Sequence, residues 1–423
     1  MGTSVDEPYP VHVSSLAQLP RPASKRMAVR VTPDALRHIR AGHPWVFDQA
    51  IESASHQGAP GDLAVVFDND RKFAAIGLFD PASPMRLKML HHGKPVNIDE
   101  AFWSARLAAA LARRAPLAAS DETTGYRCIN GENDGFPGLV LDRYDRTFVL
   151  KIYSPIWVPH LPLLVPVIEQ QLQPESLVLR LARNIEPAHL FGLEEGDALV
   201  GLSPSGPVMF QESGLTFEAD VVHGQKTGHF LDQRDNRAYL RTLADGARVL
   251  DVFACTGGFT VNAAAGGAAS VTAIDISEPT LAVAARNLGY NRQLPAVAAC
   301  TYKPVIADAF REMEKVQRRG EKFDIVIIDP PSFARRAFET ERALSAYKKL
   351  TELGVRLVQR GGLLVQSSCS SRVTADDFYA TVARAAALAE RPLDELRRTG
   401  HAIDHPVTFP EGAYLKTLFG HVP

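Results

Sequence analysis

Acidic residues recur at the ends of short apolar runs in the C-terminal half of the chain, in a pattern suited to a nucleoside ligand. Asp251 follows Val249-Leu250, Asp275 follows Val271-Thr272-Ala273-Ile274, Asp308 follows Val305-Ile306-Ala307, and Asp329 follows Ile325-Val326-Ile327-Ile328. Asp275 lies about 20 positions beyond a Gly-rich turn, the separation at which a carboxylate after a second strand reaches ribose hydroxyls. The turn, Phe253-Ala-Cys-Thr-Gly-Gly258, lacks the Gly-x-Gly-x-x-Gly spacing of pyrophosphate-binding loops. That argues against a dinucleotide and for S-adenosylmethionine, which carries ribose, adenine and an amino acid but no pyrophosphate. The expected cofactor contacts are Asp251, Phe253, Ala254, Thr256, Gly257, Gly258, Asp275, Ile276, Ser277, Asp308, Ala309, Asp329 and Pro330. Strand-end acids also cap helices; four at successive strand ends argue jointly where one would not.

Two further features bear on what accepts the transferred group. In Asp329-Pro330-Pro331-Ser332-Phe333 the prolines fix φ and stiffen the turn, so the carboxylate can be aimed at the ring nitrogens of a flat acceptor. Pro331 and Phe333 are then expected against the substrate, an aromatic ring being able to stack on an extruded base. A plain proline turn at a strand end is the structural alternative. Cys369, in Val365-Gln-Ser-Ser-Cys-Ser-Ser371, follows a buried-type strand expected beside the Asp329 strand. A thiolate there could add to C6 of a pyrimidine and make C5 nucleophilic, whereas a packed spectator is the usual reading of a lone cysteine. Cys255 reads as turn packing, and Cys128 and Cys300 as structural.

The elements that must position these groups alternate between apolar β runs and helical stretches from about residue 223 onward. The β runs are 249–253, 271–274, 305–306, 323–328, 362–366 and 415–420. Such alternation predicts an α/β, doubly wound, mostly parallel sheet, with ligands at the carboxyl ends of its strands. Upstream, residues 1–25 hold four prolines and read as a loose extension. Residues 26–98 show short β segments separated by turn residues, and residues 99–222 mix helix and hairpin signals, including a helix over 101–114 with Arg106, Arg113 and Arg114 off its apolar side. Arg37, Arg40 and Lys88 lie in stretches rich in unopposed basic residues and are expected to touch phosphate; a solvated basic face is the alternative.

Composition sets outer bounds. The 423 residues carry a net charge of −2, which excludes a globally basic polyelectrolyte and leaves nucleic-acid contact to local patches. Four scattered cysteines without a Cys-x-x-Cys pair give neither a disulfide scaffold nor an expected metal site. No apolar run approaches the roughly 20 residues of a membrane span. A cytoplasmic protein is expected, without a membrane partner, and a homodimer is compatible with the chain.

The chain resembles the bacterial 23S rRNA (cytosine-5)-methyltransferases with an N-terminal PUA domain, a central α+β domain and a C-terminal class I methyltransferase domain. The resemblance rests on His43-Pro-Trp-Val-Phe47, Gly131-Glu-Asn-Asp-Gly-Phe-Pro-Gly138, 223–235, Thr256-Gly-Gly-Phe259, Asp329-Pro-Pro-Ser-Phe333, Ser368-Cys-Ser370, Asp404-His-Pro406 and Tyr414-Leu-Lys416. It implies a PUA-like domain over 26–98, a central domain over 99–222, and a seven-stranded Rossmann-like methyltransferase domain over 223–423. It also implies that Cys369 is the nucleophile, that Asp329 holds the cytosine edge near N3, and that Lys226, Asp232, Gln233 and Arg234 line the cofactor site. The implied partner is 23S rRNA or a large-subunit precursor. Two other readings stand beside it: an exocyclic-amino methyltransferase, against which Ser332 counts because an aromatic usually follows Pro-Pro there, and a non-catalytic RNA-binding scaffold.

Overall fold

The computed structural model describes residues 13–224, 226–334 and 336–423, which divide into two compact units. The first holds the described residues through Phe210 with 219–229 and 403–409; the second holds 211–218, 230–402 and 410–423.

Two sheets build the first unit. A six-stranded sheet runs in the order Trp45–Val46, Leu87–His92, Phe73–Phe79, Leu63–Phe67, Met27–Val31, Ile51–Ala54. Its strand Met27–Val31 alternates: Met27, Val29 and Val31 point into the core while Ala28 and Arg30 face water. A five-stranded sheet runs in the order Ala198–Gly201, Ser176–Leu181, Thr147–Ile152, Leu139–Tyr144, Gly125–Asn130. Its core is shared with the helices Glu100–Arg113 and Leu161–Leu172 through Trp103, Leu107, Leu161, Leu164 and Ile168.

Two expectations are corrected in this unit. Residues 1–12 lie outside the described part, but 13–25 are not a loose extension. Val13–Gln18 is a helix whose Leu16, together with Leu19 just beyond, is buried in the core that holds Trp103. Arg114, expected off the apolar side of its helix, is fully buried. Its guanidinium donates to both Asp134 oxygens at 2.9 and 2.6 Å and to the Asp404 carbonyl at 2.7 Å. Asp404 also accepts from the Arg127 amide at 2.9 Å, and Asn130 Nδ2 donates to the Pro406 carbonyl at 3.1 Å. Two of the motifs behind the family resemblance, Gly131–Gly138 and Asp404–Pro406, therefore flank or join one buried polar network.

A seven-stranded sheet forms the centre of the second unit. Its order is Thr301–Ile306, Ser270–Asp275, Arg248–Val252, Phe323–Ile328, Val358–Ser368, Lys416–Val422, Asp394–Thr399. The first five strands pair in parallel, and Lys416–Val422 runs antiparallel to both of its neighbours. This is the doubly wound arrangement expected, with the strand order reversing between Arg248–Val252 and its two neighbours. The interior strand Phe323–Ile328 is almost wholly buried, the signature of a strand covered on both faces. Thr301–Ile306 carries Pro304 and sits at the sheet edge, where a missing N–H costs no ladder bond. Asp394–Thr399, the other edge, has no buried residue, and no apolar pattern announces it.

Candidate active site

The carboxyl ends of three adjacent strands meet around the turn that follows Val252. In register, Val252 lies between Ile274 and Ile328. Asp275 thus ends one flanking strand and Asp329 immediately follows the other. The turn between them is conformationally specialised: Phe253, Cys255 and Gly257 all have positive φ, at 66°, 49° and 80°. A Cβ added at Gly257 would come within 2.6 Å of the Ala284 Cβ, so only glycine fits there. The helix Gly258–Ala265 starts directly after, its first N–H groups opening toward the strand ends.

Asp275 shapes this turn as well as facing it. Its carboxylate accepts from the Cys255 amide and from the Ser277 amide, both at 2.9 Å. Ile276 beside it is 74% exposed, an apolar surface left open at the mouth of the crevice. Ala254 is buried, while Thr256 accepts from Asn287 Nδ2 through its carbonyl at 2.9 Å. Ser277 caps the helix Glu278–Tyr290. Asp308 is exposed and caps the helix that begins at Ala309, accepting from the Arg311 amide at 3.0 Å.

Asp251 departs from the expected register. It does not end its strand, which continues through Val252, and its side chain is 1% exposed. Alternation turns it toward the helix Gly258–Ala265, where Thr260 Oγ1 donates to it at 2.7 Å. Burial pushes its carboxyl up to about 7, against the Thr260 hydrogen bond and with a smaller push from Asp329 and Asp275. Burial likewise raises the Cys255 thiol to about 11 and the Cys128 thiol to about 12.

The next pair of strands brings Asp329 and Cys369 together. Ile328, the last residue of its strand, pairs with Gln366, and the neighbouring strand runs on to Ser368 before it reaches Cys369. Cys369 Sγ lies 3.8 Å from the Pro330 carbonyl oxygen. Hydrogen bonds tie down both neighbours of the cysteine: Ser368 Oγ donates to Tyr347 Oη at 2.9 Å, and Ser370 Oγ donates to the Ala334 carbonyl at 3.0 Å. On the other side, Gln233 Nε2 donates to Asp329 Oδ1 at 3.0 Å, and Asn236 Nδ2 donates to Gln233 Oε1 at 2.6 Å.

The remaining expected contacts divide. Asp232, Gln233 and Arg234 are buried where a short 3-10 turn enters the helix Arg234–Arg241, and Tyr414 Oη donates to Asp232 at 3.0 Å. Lys226 belongs to the first unit, with its carbonyl accepting from Lys151 Nζ at 3.0 Å. Pro330 is buried and Pro331 exposed. Phe333 is half-buried, its ring edge-to-face with Tyr347 at 5.3 Å. Arg37 and Arg40 are exposed on or beside acids, Asp34 and Asp68. Lys88 is corrected: it is 5% exposed and ion-paired with Asp80, which also accepts from Ser154 at 2.6 Å, leaving no ammonium for phosphate. Tyr347, Asn236 and Lys416 were not foreseen as part of the site. Lys416 carried a signal, a lysine inside the apolar run Leu415-Lys-Thr-Leu-Phe419.

Comparison with known proteins decides the family. The model of S-adenosylmethionine-dependent methyltransferases matches residues 198–410, and that of a PUA-like domain matches 29–92. A ribosomal RNA large subunit methyltransferase of Deinococcus radiodurans is 46% identical over 405 residues, covering 95% of this chain and 98% of that protein. The chain belongs to the ribosomal RNA large subunit methyltransferases. Ribosomal RNA large subunit methyltransferase I of Escherichia coli O157:H7 is 35% identical over 377 residues, 88% of this chain and 94% of that one. In fold, the methyltransferase resembles SMU.776, solved in complex with S-adenosylhomocysteine: the TM-score is 0.79 at 21% identity, over 94% of this chain and 100% of that one.

The cofactor is S-adenosylmethionine, and the methyltransferase's own residues fit it. A carboxylate, an exposed apolar side chain and a glycine-built turn at a helix N-terminus meet at the point where strand order reverses, the place where open α/β sheets bind ligands. Nothing in the turn forms a pyrophosphate cradle. No group of three or more possible metal ligands occurs among the described residues, and no described helix is long and apolar enough to cross a membrane.

Proposed function

We propose that this methyltransferase acts in the cytoplasm on large-subunit ribosomal RNA, and that the atom methylated is C5 of a cytosine activated by a covalent bond to Cys369. The substrate class follows from the names of relatives that span nearly the whole chain. The observation that supports the chemistry is the approach of Cys369 Sγ to the Pro330 carbonyl at 3.8 Å, which sets a thiol beside the turn that follows Asp329.

Cytosine C5 is too poor in electrons to take a methyl group unaided. In this reading the Cys369 thiolate forms a bond to C6, and the electron pair of the C5–C6 double bond moves into the ring as N3 gains a proton. Asp329, held by Gln233, sits at the N3 and amino edge and supports that protonation. C5 is then an enamine carbon. S-adenosylmethionine supplies an electrophilic methyl group, held by Asp275, Asp308 and the 253–258 turn. After transfer N3 returns its proton to Asp329, a base takes the C5 proton, and the departure of Cys369 from C6 restores the aromatic ring and the thiolate. Pro330 and Pro331 fix φ in the turn that follows Asp329, and the Pro330 carbonyl of that turn lies against the thiol.

The deciding experiment incubates the protein and Cys369→Ala with radiolabelled cofactor and undermodified ribosomal RNA, followed by digestion to nucleosides. Label in 5-methylcytidine that depends on the thiol is expected. Label in a methylated purine, or full activity of the alanine variant, would overturn the reading.

A further inference from the structure

Lys416 is a buried cation without a carboxylate. It opens the strand Lys416–Val422, is 3% exposed, and pairs in register with Ser368. Its Nζ donates to the Ser370 carbonyl and, at 3.0 Å, to the Tyr414 carbonyl. Lys416 therefore brackets Cys369: its backbone pairs with the residue before the thiol and its ammonium holds the residue after it. Among the described residues no Asp or Glu lies within ion-pair distance of Nζ.

An ammonium group has three donors, and two carbonyls leave one unused. Burying it away from an opposite charge costs several kcal/mol. A counter-charge formed nearby would offset that cost, and Cys369, which lies between the residue paired with Lys416 and the residue its ammonium holds, can carry one. Asp329, from the strand-end turn, is itself acidic; Tyr347, from the helix Thr340–Leu357, is kept neutral by burial, with Cys369 and Asp329 pushing the same way. Lys416 brings positive charge to Cys369 from the neighbouring strand.

We propose that Lys416 is the positioning residue that holds Cys369 as a thiolate, offsetting the charge of Asp329 and tying the loop that carries the sulfur. The proposal deepens the reaction given above and rests on Cys369 being its nucleophile. Burial lowers the Lys416 ammonium to about 8, and the charge on Cys369 works against that fall, so the two groups are electrostatically linked.

The test is the pH dependence of Cys369 alkylation by iodoacetamide in the full-length protein, followed by peptide mass spectrometry so that Cys128, Cys255 and Cys300 are separated. In the native protein the thiol should titrate below the ordinary value of about 8.5. Lys416→Met should slow alkylation at pH 7 by about tenfold and move the profile upward, and Lys416→Arg should restore most of the native behaviour. An ordinary or raised thiol titration in the native protein overturns the proposal even if the methionine variant fails to fold, as does an unchanged profile in a folded methionine variant. Retained 5-methylcytidine formation by Cys369→Ala would instead overturn the nucleophile assignment, so the two failures are distinct.

Discussion

Gln233 and Asp329, 96 positions apart in sequence, are joined by a 3.0 Å hydrogen bond from the Gln233 amide to the Asp329 carboxylate. The amide is in turn held by Asn236, whose side chain also donates to Thr417 Oγ1 at 3.1 Å. The Asp329 carboxylate, proposed to meet the edge of the base, is thus fixed by a relay reaching from the start of the helix Arg234–Arg241 to the C-terminal strand. The family resemblance placed Gln233 at the cofactor; the structure shows it bonded to the Asp329 side chain.

Gln233→Ala should therefore lower kcat more than it weakens cofactor binding. A misplacement of about 1 Å in a reacting constellation can cost on the order of 100-fold, and a fall of about 10- to 100-fold is expected. Single-turnover methylation, paired with calorimetric titration of S-adenosylhomocysteine, separates the two effects. A variant that loses cofactor affinity and retains turnover at saturation would return Gln233 to a cofactor role.

The buried Asp251 carboxyl makes stability depend on pH in an unusual direction for an aspartate. Its folded value of about 7 lies above the ordinary 3.8. The folded state consequently keeps a proton that the unfolded chain releases between about pH 4 and pH 7. The contribution is fully present below pH 4 and is lost as the pH rises through 7. Asp251→Asn removes this titration, so the stability difference between native protein and variant should shift toward the variant from pH 5 to pH 8, by at most on the order of 4 kcal/mol. Urea midpoints of the catalytic unit at the two pH values measure it. A pH-independent difference would mean that Asp251 titrates normally.

The parts of this fold that were legible in the sequence are those whose own residues encode them. Phe323–Ile328 reads as a buried strand because nearly every side chain is apolar, and the turn after Val252 reads as a ligand turn from its small residues and glycines. Asp394–Thr399 did not, since an edge strand of charged residues has no apolar period. Alternation within a strand matters too: Asp251 and Val252 point to opposite faces, so an acid one position before the strand end serves the interior and not the crevice. Long-range polar pairing is hidden altogether. The union of Arg114 with Asp134 and Asp404 spans 290 residues, and nothing local to Arg114 distinguishes it from Arg113, which is half exposed.

Asp275 and Asp308 make the sharpest comparison among the strand-end acids, because the structure gives them different second duties. Asp275 braces the turn through the Cys255 and Ser277 amides, while Asp308 caps a helix. Asparagine caps a helix about as well as aspartate, so Asp308→Asn keeps the local structure and reports only on the lost charge. Hydrogen bonds to a charged group are worth roughly 1.5–3 kcal/mol. Asp275→Ala, which removes both the proposed ribose acceptor and the brace, should weaken S-adenosylhomocysteine binding by about 10- to 100-fold in calorimetry, and Asp308→Asn by markedly less. Equal losses would indicate that both acids act only through charge, and an unaltered affinity in Asp275→Ala would remove that residue from the cofactor site.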